Sequence, residues 1–244
     1  MGSNAGIFPA TPSVIRGNPD EWRLVYDINV LGCWHVLWTF APQLITQKEP
    51  SAIEVTASMA GVSRGGAGAY GTSKLAVLGI AEALSAELRT AGAAGKVHVV
   101  SLCPGVVVTS LLESSSEVQG AADAGQIAQD AGDEHAIVAG LRARMGAVGM
   151  SSDFVGEEVF SHLADGRFYC LLNGDASEHA SIDQILTTRF ESMMSRVPIE
   201  MPSASEMLER EAAPTDARRA STTHGLCAQT CYGRADSRPP IGAP

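Results

Sequence analysis

Two short apolar runs, residues 52–57 and 96–102, flank a stretch in which Val77, Ile80, Leu84 and Leu88 recur on one side of a helix that Gly92 and Gly95 bring to a stop. Strand, helix and strand of these lengths make a βαβ unit, which crosses over right-handed and sets its two strands parallel. Both runs are apolar without strict alternation, the pattern of strands covered on both faces. No other feature constrains the chain as much: it calls for an α/β fold, a doubly wound parallel sheet with helices on both faces.

The flanking sequence supplies those helices. Asn18-Pro19-Asp20-Glu21 combines an N-cap, a proline at the first helical position and acids in the first turn. The helix it opens carries Trp22, Val25, Asn29, Cys33, Val36, Phe40 and Leu44 on one stripe, and Pro42 is expected to kink or end it. Asn29 stands out, because an amide on an apolar stripe is costly unless it is hydrogen-bonded. Ser152-Asp153 opens a later helix with Phe154, Val155, Val159, Phe160 and Leu163 inward and Gly166 as its stop. A third strand is expected over 167–172, followed by an amphipathic helix marked by Ile182, Ile185, Leu186, Phe190 and Met193. Residues 113–135 are rich in acids, Ser, Ala and Gly and hold no Lys or Arg, which predicts an irregular mobile flap or a disordered loop. Periodicity ceases after Pro198, so residues 1–199 are expected to form one domain and 200–244 a disordered tail.

The chemistry is concentrated in residues 58–74. Tyr70 and Lys74 are four apart, stacked on one face if a helix begins near Ala69. An ammonium beside a phenol favours phenolate and is expected to pull the Tyr70 pKa down from about 10. Ser58, twelve residues before Tyr70, closes the 52–57 strand and delivers a hydroxyl to the same place. These residues resemble the short-chain dehydrogenase/reductase family, whose mark is a Ser about a dozen residues ahead of Tyr-x-x-x-Lys. The resemblance covers roughly residues 3–195. It extends to Asn4-Ala5-Gly6, similar to the end of the family's Asn-Asn-Ala-Gly turn, to Asn29 in its Asp-Ile-Asn-Val-Leu-Gly context, and to Pro104-Gly105-x-x-x-Thr109.

The resemblance implies a Rossmann-like sheet and an oxidoreductase that moves a hydride between NAD or NADP and an alcohol or carbonyl substrate. In that scheme Tyr70 handles the proton and Ser58 hydrogen-bonds the reacting oxygen. Lys74 lowers the Tyr70 pKa and holds the ribose, and Asn29 anchors a water that relays protons to Lys74. Cofactor contacts would fall to Asn4, Ala5, Gly6, Tyr70, Lys74, Pro104, Gly105, Val107 and Thr109. Family members usually open with a strand, a Gly-x-x-x-Gly-x-Gly turn and two further βα units ahead of the Asn-Ala-Gly turn, whereas this chain starts at that turn. About three strands of the family's sheet are therefore expected, with an open edge on the 52–57 strand and no residue to select NAD over NADP. Met1-Gly2-Ser3 reads as a start scar or a cut end. The alternative expectation is a catalytically silent fragment that acts only in association through helices 18–47 and 69–92, the same helices expected to build a homo-oligomer.

Composition closes off other classes. A net charge of −10 offers no basic field for nucleic acid or an anionic membrane surface. The longest apolar stretch, around His35, is too short for a membrane span, and no basic or apolar leader opens the chain, so a cytoplasmic protein is expected. The cysteines are odd in number, and Cys33, Cys103 and Cys170 sit in apolar runs as reduced core thiols; Cys227 and Cys231 lack the further ligands a structural zinc needs, so no metal is expected. Gly66-Ala67-Gly68-Ala69-Tyr70-Gly71 matches the dinucleotide fingerprint in letters alone: it follows its strand too late, and no acid-bearing strand comes after it. A hydrolase built on Ser58 is disfavoured, because no Gly-x-Ser-x-Gly elbow surrounds it.

Overall fold

Four parallel strands, in the order β1-β2-β3-β4, form the sheet of the computed structural model, which describes residues 1–63, 68–122, 132–173 and 179–196. These residues fall within one unit, Met1–Ile199. The strands are β1 (Gly2–Ser3), β2 (Ser51–Thr56), β3 (Val97–Pro104) and β4 (Tyr169–Leu172). The central pair registers Ser51 on Val97 through Thr56 on Leu102, and β4 joins with Ser101 opposite Tyr169. Expectation and structure differ at β1. Gly2 and Ser3, read from the sequence as a scar or a cut end, pair in parallel with Glu54 and Val55 and cover part of the edge expected to be open, so the sheet has four strands where about three were expected.

Side chains alternate across β3. Val97, Val99 and Cys103 join one buried layer with Ile53 and Val55, covered by Cys33, Leu37 and Ala41 of α2 (Gly32–Thr46) and by Val77, Ala81 and Leu88 of α4 (Gly68–Thr90). Val100 and Leu102 face the other way and pack with Cys170, Leu172 and Val155 of α7 (Ser152–Ala164). This is the period of two that a sheet covered on both faces requires.

The first long helix departs from the simple stripe. It runs as α1 (Pro19–Tyr26), a π-helical turn (Asp27–Leu31) and α2, with Asn18 capping the start by accepting from Asp20 N. The π turn takes up an extra residue, so the buried positions step by four: Val25, Asn29, Cys33, Leu37, Ala41. Phe40, expected inward, is rotated out and exposed, and Pro42 does not end the helix, which continues to Thr46.

The acidic stretch also differs from expectation. α5 (Leu111–Ala122) and α6 (Gly132–Val148) are helices, consistent with the good helix propensity of Leu, Glu, Gln and Ala; only 123–131 lie outside the described residues. α5 is tied to the Phe8 backbone at two points: Ser115 Oγ accepts from Phe8 N at 2.9 Å, and Gln119 Nε2 donates to Phe8 O at 2.8 Å. On α7, Val155 is buried but Phe160 is 74% exposed, and on α8 (His179–Ser195) Ile182 is buried while Phe190 is 63% exposed. The expected tail, 200–244, with Cys227 and Cys231, lies outside the described residues.

Candidate active site

Because the strands are parallel, their C-terminal ends share one edge of the sheet, the edge where ligands settle in open α/β folds. Asn4 follows β1, Ser58 follows β2, Pro104 ends β3 and Asn173 follows β4. Ser58 has extended backbone and caps α3 (Met59–Val62), accepting from Ala60 N at 3.1 Å, while its hydroxyl also reaches Pro104 O at 3.4 Å. Tyr70 and Lys74 occupy the first two turns of α4. The Ser58 hydroxyl lies near enough to the Tyr70 phenol to favour its ionised form, and the Phe8 ring lies 4.9 Å from the Tyr70 ring.

Lys74 is only 4% exposed. Its Nζ donates to the Thr56 carbonyl at 2.8 Å and stands 5.8 Å from the centre of the Tyr70 ring. Burial pushes its pKa down to about 8, against the opposing pull of Cys33, Glu54 and Cys103. The Tyr70 phenol moves the opposite way from the sequence expectation. Burial raises its pKa and the Ser58 hydroxyl only partly offsets this. The ammonium is engaged with Thr56 and leaves desolvation as the larger effect.

Asn29, 1% exposed, sits in the π turn and satisfies both ends of its amide. Oδ1 accepts from Ile7 N at 2.8 Å, and Nδ2 donates to Ile7 O at 3.1 Å and to Ser73 Oγ at 3.0 Å. Ser73 Oγ in turn donates to Tyr70 O at 2.8 Å. Gly6 is wedged between these groups: a Cβ there would lie 3.2 Å from both Asn29 Oδ1 and Lys74 Nζ. The turn after β1, the π turn and the start of α4 are thus held together by one buried amide.

A family model described as short chain dehydrogenase matches residues 1–120, the segment that contains Gly6, Asn29, Ser58, Tyr70 and Lys74. Residues 1–120 are thus similar to short-chain dehydrogenases. The chain is 28% identical over 224 residues to 1-deoxy-11-beta-hydroxypentalenate dehydrogenase of Streptomyces arenae, covering 91% of this chain and 69% of the relative. Against the protein of the same name from Streptomyces exfoliatus it is 30% identical over 208 residues, covering 84% of this chain and 64% of that one. Among solved structures, a short chain dehydrogenase/reductase from Burkholderia phymatum in complex with NAD superposes with a TM-score of 0.72 at 28% identity, over 83% of this chain and 69% of the other. The chain thus spans roughly two thirds of the length of these relatives.

The motifs that resemble those of short-chain dehydrogenases fall at one edge, but not all at the same depth. Ser58, Tyr70, Lys74, Asn29 and Gly6 converge, whereas Asn4 and Ala5 are exposed, with Asn4 Oδ1 2.9 Å from the Thr56 hydroxyl. Pro104 and Gly105 turn tightly beside β4: Gly105 N donates to Leu172 O at 2.6 Å, and a Cβ on Gly105 would stand 2.5 Å from Asn173 Oδ1. Val107 bridges to Met150, and Thr109, exposed, accepts from Leu111 N at 3.3 Å, at the start of α5. Sequence reasoning missed Ser73, whose signal was its place between Tyr70 and Lys74. It also missed Phe8 and Glu54, and nothing in the sequence marks either. Glu54 Oε1 lies 2.7 Å from the Thr56 hydroxyl, and burial raises the carboxyl's pKa.

Proposed function

We propose that this chain is a nicotinamide-dinucleotide-dependent oxidoreductase acting on an alcohol or carbonyl compound, with Tyr70, Ser58, Lys74 and Asn29 as its working residues. The observation that carries the reading is the convergence of Ser58, Tyr70 and Lys74 at the C-terminal edge of the sheet, within the segment that matches a short chain dehydrogenase family model. The Burkholderia phymatum neighbour is described in complex with NAD.

The residues present suit such a ligand. Lys74 spends one N–H on Thr56 O, and among the described residues its remaining donors are free to reach a ribose diol. Gly6 lets the turn after β1 pack against Asn29 and Lys74, Gly105 lets the turn after β3 pack against Asn173, and Val107 and Thr109 follow Gly105 where they would meet a carboxamide. The nicotinamide supplies or accepts the hydride when bound.

The chain's own residues manage the proton. Tyr70 holds a proton on its phenol oxygen at neutral pH, since burial keeps the phenol above its ordinary value, and it gives that proton to the reacting oxygen in the reduction direction. Ser58 donates to the same oxygen, adding a preorganised dipole where charge develops. Lys74, with a pKa near 8, is poised to lose and regain a proton in the working range, and Asn29 holds the Gly6 turn against it and would anchor a relay water. A second copy of the chain is the proposed partner. Leu31 at the end of the π turn, Trp34 and Trp38 along α2 and Leu75 along α4 are exposed, with the two tryptophan rings stacked at 6.2 Å.

Titration of the purified chain with NADH and with NADPH, followed by nicotinamide fluorescence, tests the reading. Saturable binding of either supports it, and absence of binding at millimolar concentration contradicts it.

A further inference from the structure

The short helix α3 has an anchor at its far end that the proposed chemistry does not use. Arg189 of α8 places a single guanidinium nitrogen, Nη1, 3.0 Å from Gly61 O, 2.6 Å from Val62 O and 2.8 Å from Ser63 O. The first two are the last carbonyls of a helix only four residues long and the third belongs to its C-cap residue, carbonyls that no further helical turn follows to satisfy. A cation at that end also meets the negative pole of the local backbone dipoles. The other end of α3 is Ser58, the N-cap.

A second contact fixes α3 from the side. A Cβ on Gly61 would stand 2.6 Å from Leu75 N and 2.7 Å from the Lys74 carbonyl carbon, so α3 lies directly on the α4 backbone at Lys74. Gly61 is also one of the three residues that Arg189 holds. One guanidinium therefore ties the turn that carries Ser58 to α8, while Gly61 of the same turn seats it on the helix that carries Tyr70 and Lys74.

We propose that Arg189 is a positioning residue, one that sets Ser58 against Tyr70 by anchoring α3 from α8 where Gly61 seats it on α4. The inference rests on the reading of Ser58 and Tyr70 as reacting groups, but it reaches a residue more than a hundred positions away in a different helix. Arg189 touches no reacting atom and acts through α3.

Two readouts on the full chain test it. The first needs neither substrate nor cofactor: with tyrosine labelled at the ring carbon bearing oxygen, and the Tyr70 signal assigned by its loss in Tyr70→Phe, the phenol titration is compared in wild type, Ser58→Ala, Arg189→Gln and the double variant. Loss of the Ser58 contact moves Tyr70 upward, so Arg189→Gln is expected to move it upward as Ser58→Ala does, with no further change in the double variant. An unchanged Tyr70 titration in Arg189→Gln overturns the proposal. The second is turnover: Arg189→Gln should lower kcat about 10- to 100-fold, as a small misplacement of a reacting group does. KM for the dinucleotide should be unchanged, and the loss should vanish in the Ser58→Ala background. Additive losses in the double variant overturn the proposal. If the wild type turns nothing over, the functional reading fails while the titration still decides the role of Arg189. If Arg189→Gln does not fold, Arg189→Lys, which keeps one ammonium for the same carbonyls, is expected to show a smaller shift in the same direction, and no shift there overturns the proposal.

Discussion

Replacing Lys74 by Met should change how stability depends on pH, and the size of the change follows from burial. In the folded chain the ammonium is 4% exposed and its pKa falls from 10.5 to about 8. That fall corresponds to about 3 kcal/mol of differential stabilisation between the charged and neutral forms. The sign follows from proton counting. Between about pH 8 and 10.5 the unfolded chain carries a proton on this lysine that the folded chain has shed, so the unfolded state binds more protons and stability from this group rises with pH. Below about pH 8 the whole penalty of burying the ammonium is present, and above 10.5 it is gone. Other groups pull the opposite way over the same range: Cys103, raised by burial to about 11, and Tyr70, also raised, favour their neutral forms in the fold and cost stability as the pH climbs past their unfolded values. The difference between wild type and Lys74→Met removes those shared contributions. Urea unfolding of both proteins at a series of pH values should show the advantage of Lys74→Met shrinking by about 3 kcal/mol on going from pH 7 to above 10.5. Parallel curves would refute the claim that Lys74 is buried as an ammonium in the folded chain.

Asn29→Leu removes the partners of Ile7 N, Ile7 O and Ser73 Oγ at a site 1% exposed, and should destabilise by about 2–5 kcal/mol in denaturant unfolding, since each buried polar group left unpaired costs about 1–3 kcal/mol. Gly61→Ala places a Cβ 2.6 Å from the Leu75 amide nitrogen; overpacking against backbone should cost about 1–3 kcal/mol by the same assay and slow turnover, because α3 must lift from α4. Trp38→Glu puts a charge on a residue 68% exposed on the outer face of α2, and light scattering after gel filtration should show a smaller assembly than wild type.

The parts of this structure that were legible in the sequence are those governed by local rules. The βαβ unit and the Asn18 cap follow from periodicity and capping, and β2 and β3 fall within two residues of the expected runs. The placement of Ser58, Tyr70 and Lys74 at one edge was legible because the spacing of residues fixes how a strand end meets a helix start. The direction of the Tyr70 pKa was not, since it depends on whether Lys74 Nζ faces the phenol or the Thr56 carbonyl, a choice made by tertiary packing. β1 was illegible for a related reason: Gly2 and Ser3 have no strand propensity and are strand only because Glu54 and Val55 offer them an edge. The π turn around Asn29 displaced Phe40 from an otherwise sound helical stripe. Arg189 carries no sequence signal at all, as its partners are backbone carbonyls on α3.

The central claim is that Tyr70 is the proton-handling group of a dinucleotide-dependent oxidoreductase. It is tested most directly by following nicotinamide absorbance for wild type and Tyr70→Phe against a panel of ketones, aldehydes and secondary alcohols, with NAD and NADP in their oxidised and reduced forms. The account predicts turnover by wild type on at least one pair and a loss of about 100- to 10,000-fold in Tyr70→Phe, the scale of general acid–base catalysis, with dinucleotide binding retained. Equal rates in the two proteins would contradict it.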